Sequence, residues 1–178
     1  MPGPAFLHGD DVTLNTVEEA DIDFLNDHIN DAAVRIGLGS ADPKNSSQTQ
    51  EFFEESVSSD ESVNLLVCVD DEPVGQVSAH RMDEKNGTTE VGCWLAPEFH
   101  GEGYAADATR RLLRYLFEER RIQTVTAHVF AFNEPSYRLL ESVGFERVGE
   151  VPNQLFVDGE HHDDFVYAMT VDDWRAGD

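Results

Sequence analysis

The sequence predicts an α/β (α+β) fold in which a mixed sheet carries helices on its faces. Three observations point there. First, 40% of the 178 residues are hydrophobic and 11 are Phe, enough apolar matter for a packed interior without disulfide staples. Second, strand-like and helix-like runs follow one another in the order β-α-α-β-β-β-α-β-α-β-β. Third, Asn86–Gly87 and Asp158–Gly159 are turn signals between strand-like runs. No internal repeat or long linker interrupts the chain, so residues 1–178 are read as a single domain.

Each element has a local reason. Asp11–Val17 reads as a first strand. Glu18 to Asn30 is amphipathic, with Ile22, Leu25 and Ile29 on one helical face. Ala32–Ser46 contains Gly37, Gly39 and Pro43 and reads as a loop. Ser47–Ser58 reads as a second helix with Phe52 and Phe53 facing inward. Ser62–Val69, Val74–Arg81 and Thr88–Leu95 are strand-like, with Asp70–Pro73 a turn and Pro97 closing the series. Tyr104–Arg121 is a long helix with Leu112, Leu113, Leu116 and Phe117 inward. Gln123–Ala131 is β-rich. Asn133–Val143 is a short helix ended by Gly144, which suits a left-handed cap. Phe145–Val151 and His161–Val171 are the final strands.

The charge excludes some functions. There are 36 Asp and Glu against 12 Lys and Arg, a formal net charge of −24, and Lys44 and Lys85 are the only lysines. Nucleic-acid binding and anionic membrane surfaces both call for basic patches, so neither is an expected partner. Two explanations of the acidity remain open: attraction of a cationic substrate, or a surface solvated for molar intracellular salt. The even spread of the acids and the scarcity of lysine favour the second and resemble proteins of salt-loving archaea. Cys68 and Cys93 fall in apolar strand-like runs and read as buried thiols, not as a disulfide or a metal pair. The first 11 residues lack a basic start and an apolar stretch, so a cytoplasmic location is expected.

Three segments carry candidate chemistry. In His100-Gly101-Glu102-Gly103-Tyr104-Ala105, two glycines let the backbone approach a ligand, and a helix N-terminus follows. Such a loop binds a phosphate or pyrophosphate without a lysine, although an ordinary tight turn reads the same way. No Gly-Lys-Ser/Thr run exists, which excludes a P-loop. In Asn133-Glu134-Pro135-Ser136-Tyr137 a helix starts directly after a strand. Asn133 suits its N-cap, and Ser136 and Tyr137 follow on the same helical face. In Thr89-Glu90-Val91-Gly92-Cys93-Trp94-Leu95, alternation puts Glu90, Gly92 and Trp94 on one face and Cys93 on the other. Gly92 marks a bulge or the close approach of a ligand. His161-His162-Asp163-Asp164 invites a metal reading, but strand neighbours point to opposite faces, so no metal is expected.

Taken in order and spacing, Glu90–Leu95, then Pro97-x-x-His100-Gly101-x-Gly103-Tyr104-Ala105, then Asn133-x-x-Ser136, then Gly144-Phe145, resemble the GNAT acetyltransferase superfamily. Within it the pattern is similar to the RimJ/RimL branch, which acetylates protein N-termini. The resemblance implies a mostly antiparallel sheet of six to seven strands flanked by about four helices, and acetyl-CoA as co-substrate. It implies that the strand end Trp94–Leu95 splays and pairs with the pantetheine arm. The main-chain amides of Gly101, Glu102, Gly103, Tyr104 and Ala105 would hold the pyrophosphate, and Asn133 would hydrogen-bond the arm. His100 stands where the family usually has Arg or Gln, and is expected to donate to phosphate. Leu140 stands where a catalytic tyrosine is common, so the proton donor falls to Ser136, with Tyr137 in reserve. Glu90 is the expected base, through a water, its carboxyl raised by a partly dry cleft. Asp163 matches a recurring aspartate near the acceptor side and is expected to contact substrate. Arg110, Arg111 and Arg114 either offset the negative field near the cofactor or simply pair along the helix surface. The acceptor is a primary amine: a protein N-terminus, or a polyamine, amino acid or aminoglycoside. A coenzyme-binding module without catalysis is the remaining alternative. Assembly is open, a homodimer included.

Overall fold

The computed structural model describes residues 2–57 and 59–177, so the expected helix end at Ser58 and both termini of the 1–178 domain lie outside the described residues. One eight-stranded sheet runs through the chain in the order β1-β2-β3-β4-β5-β6-β8-β7. Its strands are β1 (Ala5–His8), β2 (Thr13–Thr16), β3 (Val63–Val69), β4 (Glu72–Asp83), β5 (Thr88–Leu95), β6 (Thr124–Phe130), β7 (Glu146–Val157) and β8 (Glu160–Thr170). Every neighbouring pair is antiparallel except β5 and β6. That parallel pair is joined by the long helix α4 (Tyr104–Glu118), as a parallel connection requires a crossover.

The expected order of strands is present, with one strand more. Phe6 and Leu7 alternate across β1, burying Leu7 and exposing Phe6, and β1 pairs with β2. A carboxylate on α4 holds the turn between them: Asp107 accepts the amides of Asp10, Asp11 and Val12 at 3.0, 2.7 and 3.0 Å. β7 runs past the expected end at Val151 because register shifts absorb Pro152 and Asn153, the latter at φ 52°. The helices are α1 (Ile22–Asn30), α2 (Ala32–Arg35), α3 (Ser46–Phe52), α4, α5 (Glu134–Ser142) and α6 (Val171–Gly177). α2 and α6 are short pieces beyond the four that were expected. α2 forms inside the expected loop because Asp31 caps it, accepting the Ala33 amide at 2.8 Å.

The core lies between the sheet and α4. Leu112, Leu113 and Leu116 are fully buried there and Phe117 nearly so, as the helical spacing predicts. Burying one such side chain contributes about 1.5–3 kcal/mol. A smaller cluster on the opposite face joins Val17, Leu25, Leu66 and Cys68, with Phe24, Phe53 and Trp94 packed against it. Phe53 thus faces inward as expected. Phe52 does not: it is 43% exposed, one helical step round from Phe53. Among the described residues, no helix is long and apolar enough to cross a membrane.

Because Asp107 satisfies three main-chain donors of the first hairpin, Asp107→Ala is expected to destabilise the protein by about 1–3 kcal/mol. Urea unfolding measures it, and an unchanged midpoint would contradict this role for the carboxylate.

Candidate functional site

The site begins where two strands part. β5 pairs with β6 only from Thr88 to Glu90, against Thr124 to Thr126. Beyond Glu90, β5 stays paired with β4 as far as Leu95 on its other edge. The edge facing β6 is therefore without a strand partner over the second half of β5, where main-chain donors and acceptors need one. A cleft of about 660 Å³ lies there. Trp94 and Leu95 of β5 line it, together with His100, Gly101 and Gly103 of the following loop. Tyr104 and Ala105 of α4, and Asn133 and Ser136 at the start of α5, close the same cleft. Val34, Gly37 and Leu38, at and just beyond α2, cover it.

The loop ahead of α4 is shaped by two left-handed glycines, Gly101 at φ 85° and Gly103 at φ 87°. Residues with a Cβ rarely adopt this conformation. Gly103 is the N-cap of α4 and brings no side-chain cap. Asp107, the one acid in the first turn, turns its carboxylate to the β1–β2 hairpin instead. The first amides of this 15-residue helix thus keep unsatisfied donors, and the positive end of its dipole faces the cleft. That arrangement binds an anion with no lysine present. Asn133 occupies the N-cap of α5, yet its side chain makes no capping bond and lines the cleft instead.

His100 lines the cleft and also carries a bond that the sequence did not show. Its Nε2–H donates to the Leu95 carbonyl at 2.9 Å. The imidazole therefore ties the loop to the end of β5, and that donor is not available to a phosphate.

Four predicted residues lie away from the cleft wall. Glu90 was expected as a base in a partly dry cleft. Its carboxylate is instead held by Arg81 Nη1 at 2.9 Å and by His80 Nε2 at 3.2 Å, and it does not line the cleft. Tyr137 was expected beside Ser136, but one more residue of helix rotates its ring against Phe165 of β8 at 5.9 Å between centroids. Glu102 is exposed and contributes no side chain to the cleft. Asp163 was expected at the acceptor. Its Oδ1 accepts the Asn153 amide at 2.9 Å and closes the irregular stretch of β7. That amide, followed by a hydrogen bond with Glu150, holds the Asp163 carboxyl below the usual carboxylate range. His161 and His162 diverge as neighbours in a strand do, the first against Phe156 and the second against Phe132. Among the described residues no group of three metal-ligating side chains forms. Arg111 reaches from α4 to the His8 carbonyl of β1 at 3.1 Å, and Arg114 pairs along α4 with Glu118 at 3.1 Å.

One pair escaped the sequence reading. His128 of β6 donates from Nδ1 to Asp164 Oδ2 of β8 at 2.6 Å. Asp164 is 5% exposed, and its other oxygen, Oδ1, is buried without a hydrogen-bond partner among the described residues. His128 lines a recess of about 110 Å³ whose wall also includes Gly37, Cys93, Asn133 and Ser136, all four shared with the main cleft. The two residues are 36 apart in sequence, and only strand pairing brings them together.

Cys93 lines both spaces, but burial pushes its thiol up to about 12. Burial likewise pushes the Cys68 thiol up to about 11. A thiol this far from ionisation is a poor nucleophile.

Residues 11–146 match the family described as acetyltransferase (GNAT) domain. Over 169 residues the chain is 30% identical to an uncharacterized N-acetyltransferase of the SPbeta prophage of Bacillus subtilis, covering 94% of each protein. It is 35% identical over 102 residues to a putative ribosomal N-acetyltransferase of the same organism, covering 57% of this chain and 56% of that one. Among solved structures, spermidine N-acetyltransferase from Vibrio cholerae in complex with CoA and spermine shares the fold. Its TM-score is 0.87 at 19% identity, over 93% of this chain and 98% of the other.

Iodoacetamide at pH 8 is expected to leave both cysteines unmodified in the folded protein and to modify both in urea. Rapid labelling of Cys93 in the fold, read by mass spectrometry, would contradict the assigned thiol environment.

Proposed function

The chain belongs to the GNAT family of acetyl-CoA-dependent N-acetyltransferases, and from that premise we propose that it acetylates protein N-terminal α-amines by direct attack within a ternary complex. The observation that carries the reading is the cleft itself, an unpaired strand edge leading to an uncapped helix N-terminus. Each part suits one part of acetyl-CoA. The open edge from Gly92 to Leu95 offers main-chain groups to the amide-bearing pantetheine arm, as a further strand would. The amides from Gly101 to Ala105 offer donors to the pyrophosphate. Asn133, with its side chain uncommitted to a cap, offers its amide to the arm.

The chain's contribution to chemistry is placement and polarity. Holding an amine about 3–3.5 Å from the thioester carbonyl removes most of the entropic barrier. A main-chain amide near Leu95 stabilises the oxyanion as the C–N bond forms. Ser136, at the cleft wall, protonates the departing sulfur as the C–S bond breaks. Tyr137, packed on Phe165, is not assigned this step. No covalent enzyme intermediate is required, and Cys93 is left as a structural thiol.

Resemblance to the RimJ/RimL branch and the identity to a putative ribosomal N-acetyltransferase support a protein N-terminus as acceptor. A second reading, a small polyamine, is favoured by the net charge of −24, which attracts a polycation. The unpaired cysteines and acidic surface fit a reducing, salt-rich cytoplasm, with residues 1–178 acting as one domain.

Thiol release from acetyl-CoA, measured at low and at molar KCl, tests this. Peptides with a free α-amine are expected to be acetylated and N-blocked peptides not. Faster turnover of spermidine than of any peptide would move the acceptor to small amines. Binding of acetyl-CoA without turnover of any amine would leave only a binding module. Ser136→Ala is expected to lower kcat about 10²-fold with the KM for acetyl-CoA little changed.

A further inference from the structure

We propose that His128 is the catalytic base that takes the proton of the acceptor amine, and that Asp164 is the positioning residue that orients it. The proposal rests on the acetyl-transfer reading above and deepens it. Glu90, the expected base, is held by Arg81 and His80 and lies outside the cleft wall, so it would act only through a water. His128 is placed to act on the amine directly. It lines the recess between the parting strands, on the same wall as Asn133 and Ser136. Its side chain is 39% exposed, so an incoming amine can reach it.

The orientation follows from the bond to Asp164. With Nδ1–H donated to Oδ2 at 2.6 Å, the neutral ring carries its lone pair on Nε2. Among the described residues, Nε2 is given no protein partner. A buried carboxylate with one oxygen unpartnered is expensive to maintain for packing alone. Among the described residues its side-chain partner is His128. The carboxylate fixes the ring's tautomer and stabilises the imidazolium formed when Nε2 accepts a proton.

The step balances simply. The amine nitrogen attacks the thioester carbonyl carbon, the new C–N bond forms, and the nitrogen gives one proton to Nε2. The C–S bond breaks and the sulfur takes a proton from Ser136. Solvent removes the proton from the imidazolium and returns one to the serine. An acceptor arriving as ammonium first loses one further proton by the same route.

The test uses the full-length protein and its His128→Gln and Asp164→Asn variants. Thermal melts and calorimetry with acetyl-CoA serve as controls for folding and binding. His128→Gln is expected to lower kcat about 10²–10³-fold with acetyl-CoA affinity within about threefold of wild type. Asp164→Asn is expected to lower kcat about tenfold or more, and the double variant to be no slower than His128→Gln alone, since the two act as a unit. Imidazole added to His128→Ala is expected to restore part of the rate. Independently of turnover, side-chain 15N NMR is expected to show His128 in the Nδ1–H tautomer, and Asp164→Asn to abolish that preference. Full activity in His128→Gln, additive losses, or an Nε2–H tautomer in wild type would overturn the proposal and leave the acetyl-transfer reading standing. A wild-type protein that acetylates no amine would overturn both.

Discussion

The short parallel contact between β5 and β6 governs the rest of the molecule. Three residue pairs hold the two strands together before they separate. On their outer edges both strands remain paired, β5 with β4 and β6 with β8, so the sheet stays continuous while a gap opens inside it. Main-chain groups along the gap need partners, and none comes from the protein's own strands. A ligand with alternating amides can supply them, and a cleft of about 660 Å³ lies along that edge. The crossover helix α4 starts at the mouth of the same gap because a parallel connection must leave from the end of β5. Strand separation and helix start thus arise from one topological fact.

A protein with a net charge of −24 binding an anionic co-substrate poses an electrostatic problem. The structure answers it locally, with main-chain dipoles in place of lysines. The uncapped N-terminus of α4 presents donors that cannot be titrated, and Asp107 turns its charge away to hold the first hairpin. In concentrated salt the Debye length falls to about 3 Å at 1 M, so contacts at hydrogen-bond distance dominate over the distant field. The arginines on α4 support this view: Arg111 and Arg114 are engaged with His8 and Glu118.

What was legible in the sequence was local. Gly101 and Gly103 announce a backbone conformation, and Asn133 and Ser136 are set by helical spacing a few residues apart; all four line one cleft. The long helix α4 and its buried leucines were equally clear from periodicity. What the sequence did not show was orientation and distant pairing. Glu90 was assigned the right strand, but the arginine beside it, at φ 51° in β4, could not be seen from the sequence. Tyr137 lies one helical step from Ser136 and packs on Phe165, and Asp163 lies one strand residue from Asp164, on the opposite face. Its neighbour Asp164 points inward to His128, a contact across 36 residues that no local pattern contains. His100 shows a subtler limit, since its bond to the Leu95 carbonyl, which holds the loop, could not be read from the sequence.

The central claim is that acetyl-CoA lies along the open half of β5 with its pyrophosphate at the start of α4. Backbone 15N–1H NMR during titration with acetyl-CoA tests it most directly. The account predicts saturable shifts concentrated at Trp94, Leu95 and the amides from Gly101 to Ala105. Saturable binding that leaves those amides unmoved, or no binding at all, would contradict it.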